Sequence, residues 1–254
     1  MFTIIHEYHQ LLRKGGLKAA PDKTHFFLRK VKFLGHVISE QGIQPVAKRV
    51  KDLQNLKSPE TKRDVMKVLG CLGFYSCYIK NLHVDSQPFY DLIKDTTTFN
   101  WTDKHEELFN EIKTRISEDT ILAVPSTEYP FHIHVDSSNV GTGCILVQQF
   151  PEGKRIVSFN SRVFDNAEQK MSTLHRELCG IVSALQTYEH YIIGSPFPIY
   201  LYCDHKPILY LWGRKGQISH RFFKYQVVIT KFHNLKIIWT PGSNLASPTS
   251  SAET

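Results

Sequence analysis

Three acidic residues occupy positions from which carboxylates can converge on a divalent cation. Asp136 ends the alternating run 131–135, and Asp204 closes a second such run over 198–203. Glu177 lies instead in a segment whose apolar residues recur at helical spacing. Carboxylates from two strand ends and a neighbouring helix suit a hard cation, because such ions prefer oxygen ligands. The sequence therefore predicts a metal site formed by these three side chains.

The elements that must position these acids follow from a change in hydrophobic period near residue 119. Beyond this point apolar residues alternate with polar ones, as in strands with one buried face. One long helical segment, near 172–191, interrupts the strands. The order of elements predicts an α/β (α+β) unit with a mixed five-stranded sheet and flanking helices. Strands are expected near 131–136, 143–149, 155–160, 198–203 and 235–240.

The preceding segment, 45–118, carries a helical period instead. Pro59, within the run 58–61, predicts a helix start because proline is tolerated in the first turn. Thr102, followed by the acidic Glu106, predicts a second start. These helices are expected to pack as a small bundle.

Composition limits the class of protein without selecting a function. A chain of 254 residues that is 41% hydrophobic can bury a substantial core in one or two domains. Its formal net charge of +7 favours an anionic partner such as nucleic acid. An excess of this size is also common among proteins without such a partner.

The cysteines and the apolar runs indicate a compartment. The five cysteines form no Cys-X-X-Cys pair, and Cys144, Cys179 and Cys203 lie in apolar runs, where free thiols are expected to be buried. No apolar run reaches the length of a membrane span, and no secretory signal pattern opens the chain. An intracellular location, cytoplasmic or nuclear, is expected, with no membrane partner.

The 13 histidines raise the question of a zinc site. His132 and His134 lie on one face of a predicted strand, but no second pair stands at zinc-ligand spacing. They are interpreted as residues of a polar face. His205 is different, because it follows Asp204 directly and could meet a substrate phosphate at the mouth of the acidic site.

Four short motifs follow one another in the second half of the chain. They are Asp136–Ser138 with Gly141–Gln148, then Ser172–Leu178, Cys203–Pro207 and Pro241–Asn244. In this order they resemble the ribonuclease H domain of gypsy-type LTR-retrotransposon polyproteins. The resemblance implies a ribonuclease H-like fold for the mixed sheet and its helices.

The first half of the chain resembles the end of the reverse transcriptase of the same family. Val31–Ser39 is similar to the palm hairpin called the primer grip, and Leu69–Asn81 is similar to the helical thumb. Ser76 and Cys77 stand where the family commonly has arginine, which implies weaker contact of the thumb with phosphates. The chain contains no Asp-Asp pair, and Met1 is expected to begin inside the palm helix that follows the polymerase turn. Polymerase activity is therefore not expected.

This resemblance divides the chain into four predicted parts. Residues 1–44 are expected to be a remnant of the palm with its β-hairpin, 45–118 the helical thumb and connection, 119–246 the ribonuclease H-like domain, and 247–254 a disordered tail.

The hairpin, over residues 26–43, is expected to have lost its original sheet partners. Phe33, Leu34 and Val37 should then be partly exposed or packed on the following helices. Exposed apolar side chains of this kind would make the segment prone to association.

The resemblance also implies a reaction and a cofactor. Asp136 would bridge two divalent ions, Asp204 would complete the shell of the first, and Glu177 would lie near the scissile phosphate. The ions would be Mg²⁺ or Mn²⁺, and the reaction endonucleolytic cleavage of the RNA strand of an RNA–DNA hybrid. Residues expected to contact the nucleic acid are Phe33, Gly35, Arg162, Ser172, His205, Lys206 and Arg221.

One departure from the family's pattern concerns the fourth catalytic aspartate. The family carries it four or five residues after the asparagine that matches Asn244, where this chain has Pro248 and Thr249. Loss of this ligand should weaken the second metal site. Three functions therefore stay open: a ribonuclease H-type endonuclease, a catalytically weak nucleic-acid-binding module, and a decayed or domesticated fragment acting through protein contacts. Integrase and protease portions of a parent polyprotein are further expected partners.

Overall fold

A computed structural model describes residues 2–117, 121–210 and 220–241. One group of strands follows the first helix, and the second group begins after the sixth and is interrupted by further helices. The α-helices are α1 (Phe2–Lys14), α2 (Ala47–Gln54), α3 (Lys62–Tyr75), α4 (Leu82–Asp85), α5 (Gln87–Leu92), α6 (Asp103–Ser117), α7 (Asn166–Gln169), α8 (Thr173–Thr187), α9 (Glu189–Ile192) and α10 (His220–Ile229). Short 3-10 helices cover Pro21–Lys23 and Lys206–Tyr210.

The strands form two separate sheets. Strands β1 (Lys30–Phe33), β2 (His36–Ser39) and β3 (Gly42–Pro45) make a small antiparallel sheet. Strands β4 (Phe131–Ser137), β5 (Gly141–Phe150), β6 (Gly153–Val163), β7 (Ile199–Cys203) and β8 (Leu235–Trp239) make a five-stranded sheet in the order β6-β5-β4-β7-β8. The pairs β4–β7 and β7–β8 are parallel and the others antiparallel, which confirms the predicted mixed sheet.

The N-terminal sheet extends the predicted hairpin by one strand. β3 pairs with β2, and Ile43 bridges to Leu122, so the hairpin is tied to the rest of the chain. Phe33 and Leu34 at its tip are 59% and 74% exposed, whereas Val37 is buried. Of the three apolar residues considered, two are thus exposed and one is packed.

The first turns of two helices show how local chemistry sets their boundaries. Helix α3 begins after Thr61, whose hydroxyl accepts a hydrogen bond from the Asp64 backbone N–H at 3.2 Å. The helix start predicted from the run 58–61 is confirmed at Thr61, but Pro59 lies before the helix because the capping side chain comes two residues later. Helix α6 begins directly after Thr102, as predicted.

Two clusters of buried side chains lie on either side of the main sheet. One joins the sheet to α8 and α10 and includes Ile133, Leu178 and Ile181. The other joins the helices of the first half, and Ile156 and Phe159 of β6 pack against it from the sheet. The helices before residue 118 therefore cover part of the sheet face that α8 leaves open. The predicted division of the chain into four parts stays a prediction.

Two sequence predictions about cysteines and membranes can be compared with the structure. Cys144, Cys179 and Cys203 are buried free thiols, as predicted. Across the described ranges, no helix is both long and apolar enough to cross a membrane.

Candidate active site

Two neighbouring parallel strands bring Asp136 and Asp204 to the same edge of the sheet. β4 is the middle strand, and its register with β7 pairs His134 with Tyr202. Asp136 and Asp204 each stand two residues beyond that pair. Both acids are exposed. The register therefore places two accessible carboxylates side by side, as the sequence predicts.

Helix α8 brings the third carboxylate to this edge. A Cβ on Gly180 would overlap the hydroxyl of Ser137 and lie 2.7 Å from that of Thr142, so only glycine allows the helix to lie this close to β4 and β5. The approach buries Glu177, one turn earlier on α8, to 3% exposure. A carboxyl group in such a place is rarely found without a partner or a function.

Burial changes the pKa of the Glu177 carboxyl group. The pKa of Glu177 is raised from 4.5 to about 8, chiefly by removal from water and further by the charges of Asp204 and then Asp136. The Ser137 hydroxyl and Arg176 oppose the rise only partly. Among the described residues, the buried Glu177 Oε2 has no hydrogen-bond partner. An unpaired buried carboxylate oxygen beside two other acids is an arrangement that a bound cation would stabilise.

The arrangement can be compared with what a divalent ion requires. Among the residues described, no three acidic, histidine or cysteine side chains are gathered into one ligand set. Glu177 is fixed by burial, whereas Asp136 and Asp204 are exposed and can change rotamer. All three offer the hard oxygen donors that Mg²⁺ and Mn²⁺ prefer. The donor chemistry of the three side chains fits such an ion.

Arg162, predicted to contact the nucleic acid, forms hydrogen bonds with side chains of the protein itself. Its guanidinium donates hydrogen bonds to both carboxylate oxygens of Glu168, at 2.7 and 3.0 Å, and its Nε contacts the Ser183 hydroxyl at 3.4 Å. Glu168 also belongs to the capping box of α7 with Asp165. Arg162 thus attaches α7 to β6, and its contact with a hybrid stays a prediction.

The other predicted contacts in this half lie at three places. Ser172 precedes α8, and its hydroxyl bonds His175 Nδ1 at 2.8 Å rather than capping the helix. His205 and Lys206 follow Asp204, and Lys206 Nζ lies 5.5 Å from the centroid of the Trp239 ring. Arg221 lies on α10, and its side chain is outside the described part, as is the segment of Pro248 and Thr249. Their roles in binding stay predictions.

The two predicted contacts in the first half lie at the tip of the small sheet. Phe33 ends β1 and is exposed. Gly35 has a φ of +87°, and a Cβ there would lie 2.6 Å from the Arg49 guanidinium, so the turn requires glycine. Both residues belong to the β1–β2 hairpin of the three-stranded sheet, whereas Asp136 and Asp204 stand on or directly after strands of the five-stranded sheet.

Ser137 is a residue of the site that the sequence analysis quoted without assigning it a role. Its hydroxyl favours ionisation of Glu177 and lies 3.3 Å from that of Thr142. The available signal was its position directly after Asp136. Adjacent side chains of a strand point to opposite faces, so Ser137 points to the face that α8 covers.

The five-stranded mixed sheet and its flanking helices form a ribonuclease H-like α/β fold. Residues 101–199 match a family model described as the RNase H-like domain found in reverse transcriptase. The chain is 31% identical over 201 residues to the retrovirus-related Pol polyprotein from transposon 412 of Drosophila melanogaster, covering 79% of the chain and 16% of the polyprotein. It is 32% identical over 206 residues to that from transposon 297 of the same organism, covering 80% and 19%.

Solved structures agree with this fold. A foamy viral protease-reverse transcriptase in complex with dsDNA superimposes with a TM-score of 0.75 at 20% identity, covering 95% of this chain and 51% of that one. The same viral protein in complex with RNA/DNA hybrid gives a TM-score of 0.74 at 20% identity, with 95% and 33% covered. The predicted resemblance is confirmed: the chain is related to the reverse transcriptase and ribonuclease H region of retrotransposon Pol polyproteins. It spans less than a quarter of the length of these curated relatives.

Proposed function

We propose that the chain is a ribonuclease H-type endonuclease that cleaves the RNA strand of RNA–DNA hybrids with Mg²⁺ or Mn²⁺. The observation that carries this proposal is the buried Oε2 of Glu177, for which the described part of the chain supplies no hydrogen-bond partner. Burial and the charges of Asp204 and Asp136 raise the pKa of this carboxyl group. A purely structural carboxyl at this place would be expected to find a hydrogen-bond donor. A further support is that the solved relative described above was captured with an RNA/DNA hybrid.

Each carboxylate has a separate task in this proposal. Asp136, on the middle strand, would bind between two ions, while Asp204 would complete the shell of one and Glu177 that of the other. When bound, the ions activate water and stabilise the leaving oxygen of an in-line displacement. His205 and Lys206, which follow Asp204, would orient the phosphate on either side of the break. The 2′-hydroxyls of the RNA strand would distinguish it from DNA.

The choice of substrate provides the test of this proposal. The chain would be incubated with Mn²⁺ and one of four end-labelled duplexes: hybrid with the RNA labelled, hybrid with the DNA labelled, duplex DNA and duplex RNA. We expect internal cuts only in the RNA strand of the hybrid, leaving 3′-hydroxyl ends. Equal cutting of all four duplexes, or cuts that persist in EDTA, would contradict it.

A catalytically weak nucleic-acid-binding module is the second candidate. The absence of an acid at Pro248 and Thr249 favours it, and the net charge of +7 is compatible with binding alone. Binding without cleavage would appear as a salt-dependent affinity for hybrid that Mn²⁺ does not alter. A domesticated fragment that acts through protein contacts would bind no hybrid even at low salt.

The context within a polyprotein is also a proposal. The relatives are Pol polyproteins of which this chain matches a minor part. We propose that 1–44 and 45–118 correspond to the palm end and thumb of reverse transcriptase, that 119–246 carries the nuclease, and that 247–254 is a tail. Protease and integrase portions would accompany it in a parent chain.

A further inference from the structure

Two glycines in β5 lie against side chains from the short helix α4 and from the residue that precedes it. A Cβ on Gly143 would overlap the side-chain amide oxygen of Asn81, and a Cβ on Gly141 would lie 2.9 Å from Cγ2 of Val84. Thr142, between the two glycines, faces α8 on the opposite side of the sheet. The alternation of Gly, Thr and Gly therefore leaves one face of β5 bare where α4 approaches.

This bare face is the one on which Asp136 lies. Gly143 pairs directly with Asp136 in the ladder between β4 and β5. Residues directly opposite in an antiparallel pair point to the same face, with Cβ positions about 4.5–5.5 Å apart. Ser137 and Thr142, the next pair, both face α8. The amide of Asn81 thus occupies the place of the side chain that would stand beside Asp136.

Asn81 adopts an unusual backbone conformation in this position. Its φ of 59° and ψ of 16° lie in the left-handed region, which non-glycine residues seldom adopt and which asparagine tolerates better than most. It precedes α4, but its side chain makes no capping hydrogen bond to that helix. The side chain that commonly caps a helix is directed at the sheet instead.

The helical part holds α4 in place. Arg115 of α6 binds the Asp85 carboxylate at 2.6 Å, and it also donates to the backbone oxygen of Lys80. From the sheet side, the Ser161 hydroxyl accepts a hydrogen bond from the His83 backbone N–H at 2.9 Å. Both ends of α4 are thereby fixed between α6 and the five-stranded sheet.

We propose that Asn81 is a positioning residue for the candidate nuclease site. It fixes the turn between Asp136 and Gly143, although it belongs to the helical first half of the chain and the carboxylates belong to the five-stranded sheet and α8. Asp136 stays exposed beside it, so the amide does not close the site. The catalytic part of this inference rests on the proposed function, whereas the structural part does not.

Two substitutions displace the amide in different ways. Asn81→Gly removes the side chain and retains the freedom to adopt a positive φ, so backbone strain is not added. Gly143→Ala keeps Asn81 but forces its amide away from the sheet. Gly70→Ala is the matched control, because a Cβ on this α3 glycine meets no atom within 4 Å.

The first readout is hydrogen–deuterium exchange over residues 136–143, which requires no activity. We expect faster exchange there in Asn81→Gly and Gly143→Ala, and unchanged exchange in Gly70→Ala. Unchanged exchange in the two test variants would overturn the inference.

The second readout is single-turnover and steady-state cleavage of hybrid with Mn²⁺. We expect kcat to fall about tenfold in both test variants with KM within about twofold, because small displacements at a reacting site affect rate more than binding. Faster exchange with unchanged kcat would also overturn the positioning role. If the unsubstituted chain cleaves no hybrid, the proposed function fails, and the exchange experiment alone decides whether Asn81 fixes the turn.

Discussion

Glu177 is buried with one carboxylate oxygen unpaired, and Asp204 is the neighbouring charge that raises its pKa most. The two residues come from different elements, Glu177 from α8 and Asp204 from the position directly after β7, and Gly180 allows the helix to lie close to the sheet. Three carboxylates near one another destabilise a protein unless they hold a cation or share protons.

The first prediction concerns stability in EDTA as a function of pH. Because folding raises the pKa of Glu177 from 4.5 to about 8, the folded chain keeps a proton that the unfolded chain loses. Stability should therefore fall as pH rises from 4.5 to about 8 and level off above that. Glu177→Gln should remove this loss, raising the free energy of unfolding at pH 8.5 by about 1–4 kcal/mol.

Urea unfolding at pH 5 and pH 8.5 measures this difference. Glu152→Gln is the matched control, because Glu152 is an exposed glutamate in the turn between β5 and β6. Parallel pH profiles for Glu177→Gln and the unsubstituted chain would show that Glu177 ionises normally in the fold.

The second prediction separates binding from cleavage at Asp136. Asp136→Asn removes a negative charge that faces phosphate, so affinity for hybrid should be unchanged or higher and should still fall steeply with salt. Cleavage should fall at least about 100-fold, or ~2.7 kcal/mol in activation free energy. Fluorescence anisotropy and gel-resolved cleavage measure the two effects. A large loss of affinity would mean that Asp136 contributes mainly to the fold.

The third prediction concerns the missing fourth acid. Thr249→Asp or Pro248→Asp should increase cleavage, because a fourth carboxylate would strengthen the second metal site. The unsubstituted chain should work better with Mn²⁺ than with Mg²⁺, since Mn²⁺ binds such ligands more tightly. Rates measured with each ion for the three chains give the comparison. Rapid cleavage in Mg²⁺ after deletion of the residues beyond Asn244 would show that this acid is not limiting.

The fourth prediction decides between two roles of Arg162. If it serves the fold through Glu168, a double-mutant cycle of Arg162→Gln and Glu168→Gln should give a coupling of about 0.5–1 kcal/mol in unfolding, as is usual for partly exposed pairs. The affinity for hybrid and its salt slope should then stay unchanged. A slope reduced by about one for Arg162→Gln would identify a phosphate contact instead.

Local sequence patterns predicted much of the fold and the elements that carry the three acidic residues. Alternation over 131–135 and 198–203 is a property of a strand by itself, so the strand ends at Asp136 and Asp204 could be recognised without knowledge of their partners. The register that places the two acids side by side depends on pairing, and it was confirmed only in the folded chain.

The features of the site that could not be predicted depend on contacts between residues distant in sequence, or on a nearby side chain that binds a residue in place of the nucleic acid. The burial of Glu177 requires Gly180 to face β4 and β5. Arg162 was interpreted as a hybrid contact alongside the family resemblance, yet Glu168, six residues further along the chain, binds its guanidinium within the protein. The sequence places Asn81 in the thumb-like segment but does not predict its contact with β5, since its left-handed backbone and its place beside Gly143 exist only in the folded chain.

Cleavage of an RNA–DNA hybrid by matched glutamate variants tests the central claim most directly. The unsubstituted chain, Glu177→Gln and Glu152→Gln would be compared under single-turnover conditions with Mn²⁺, with the RNA strand labelled. The account predicts cleavage by the unsubstituted chain and Glu152→Gln, and a loss of at least about 100-fold in Glu177→Gln. Equal cleavage by all three chains would contradict a role for the buried carboxylate in catalysis.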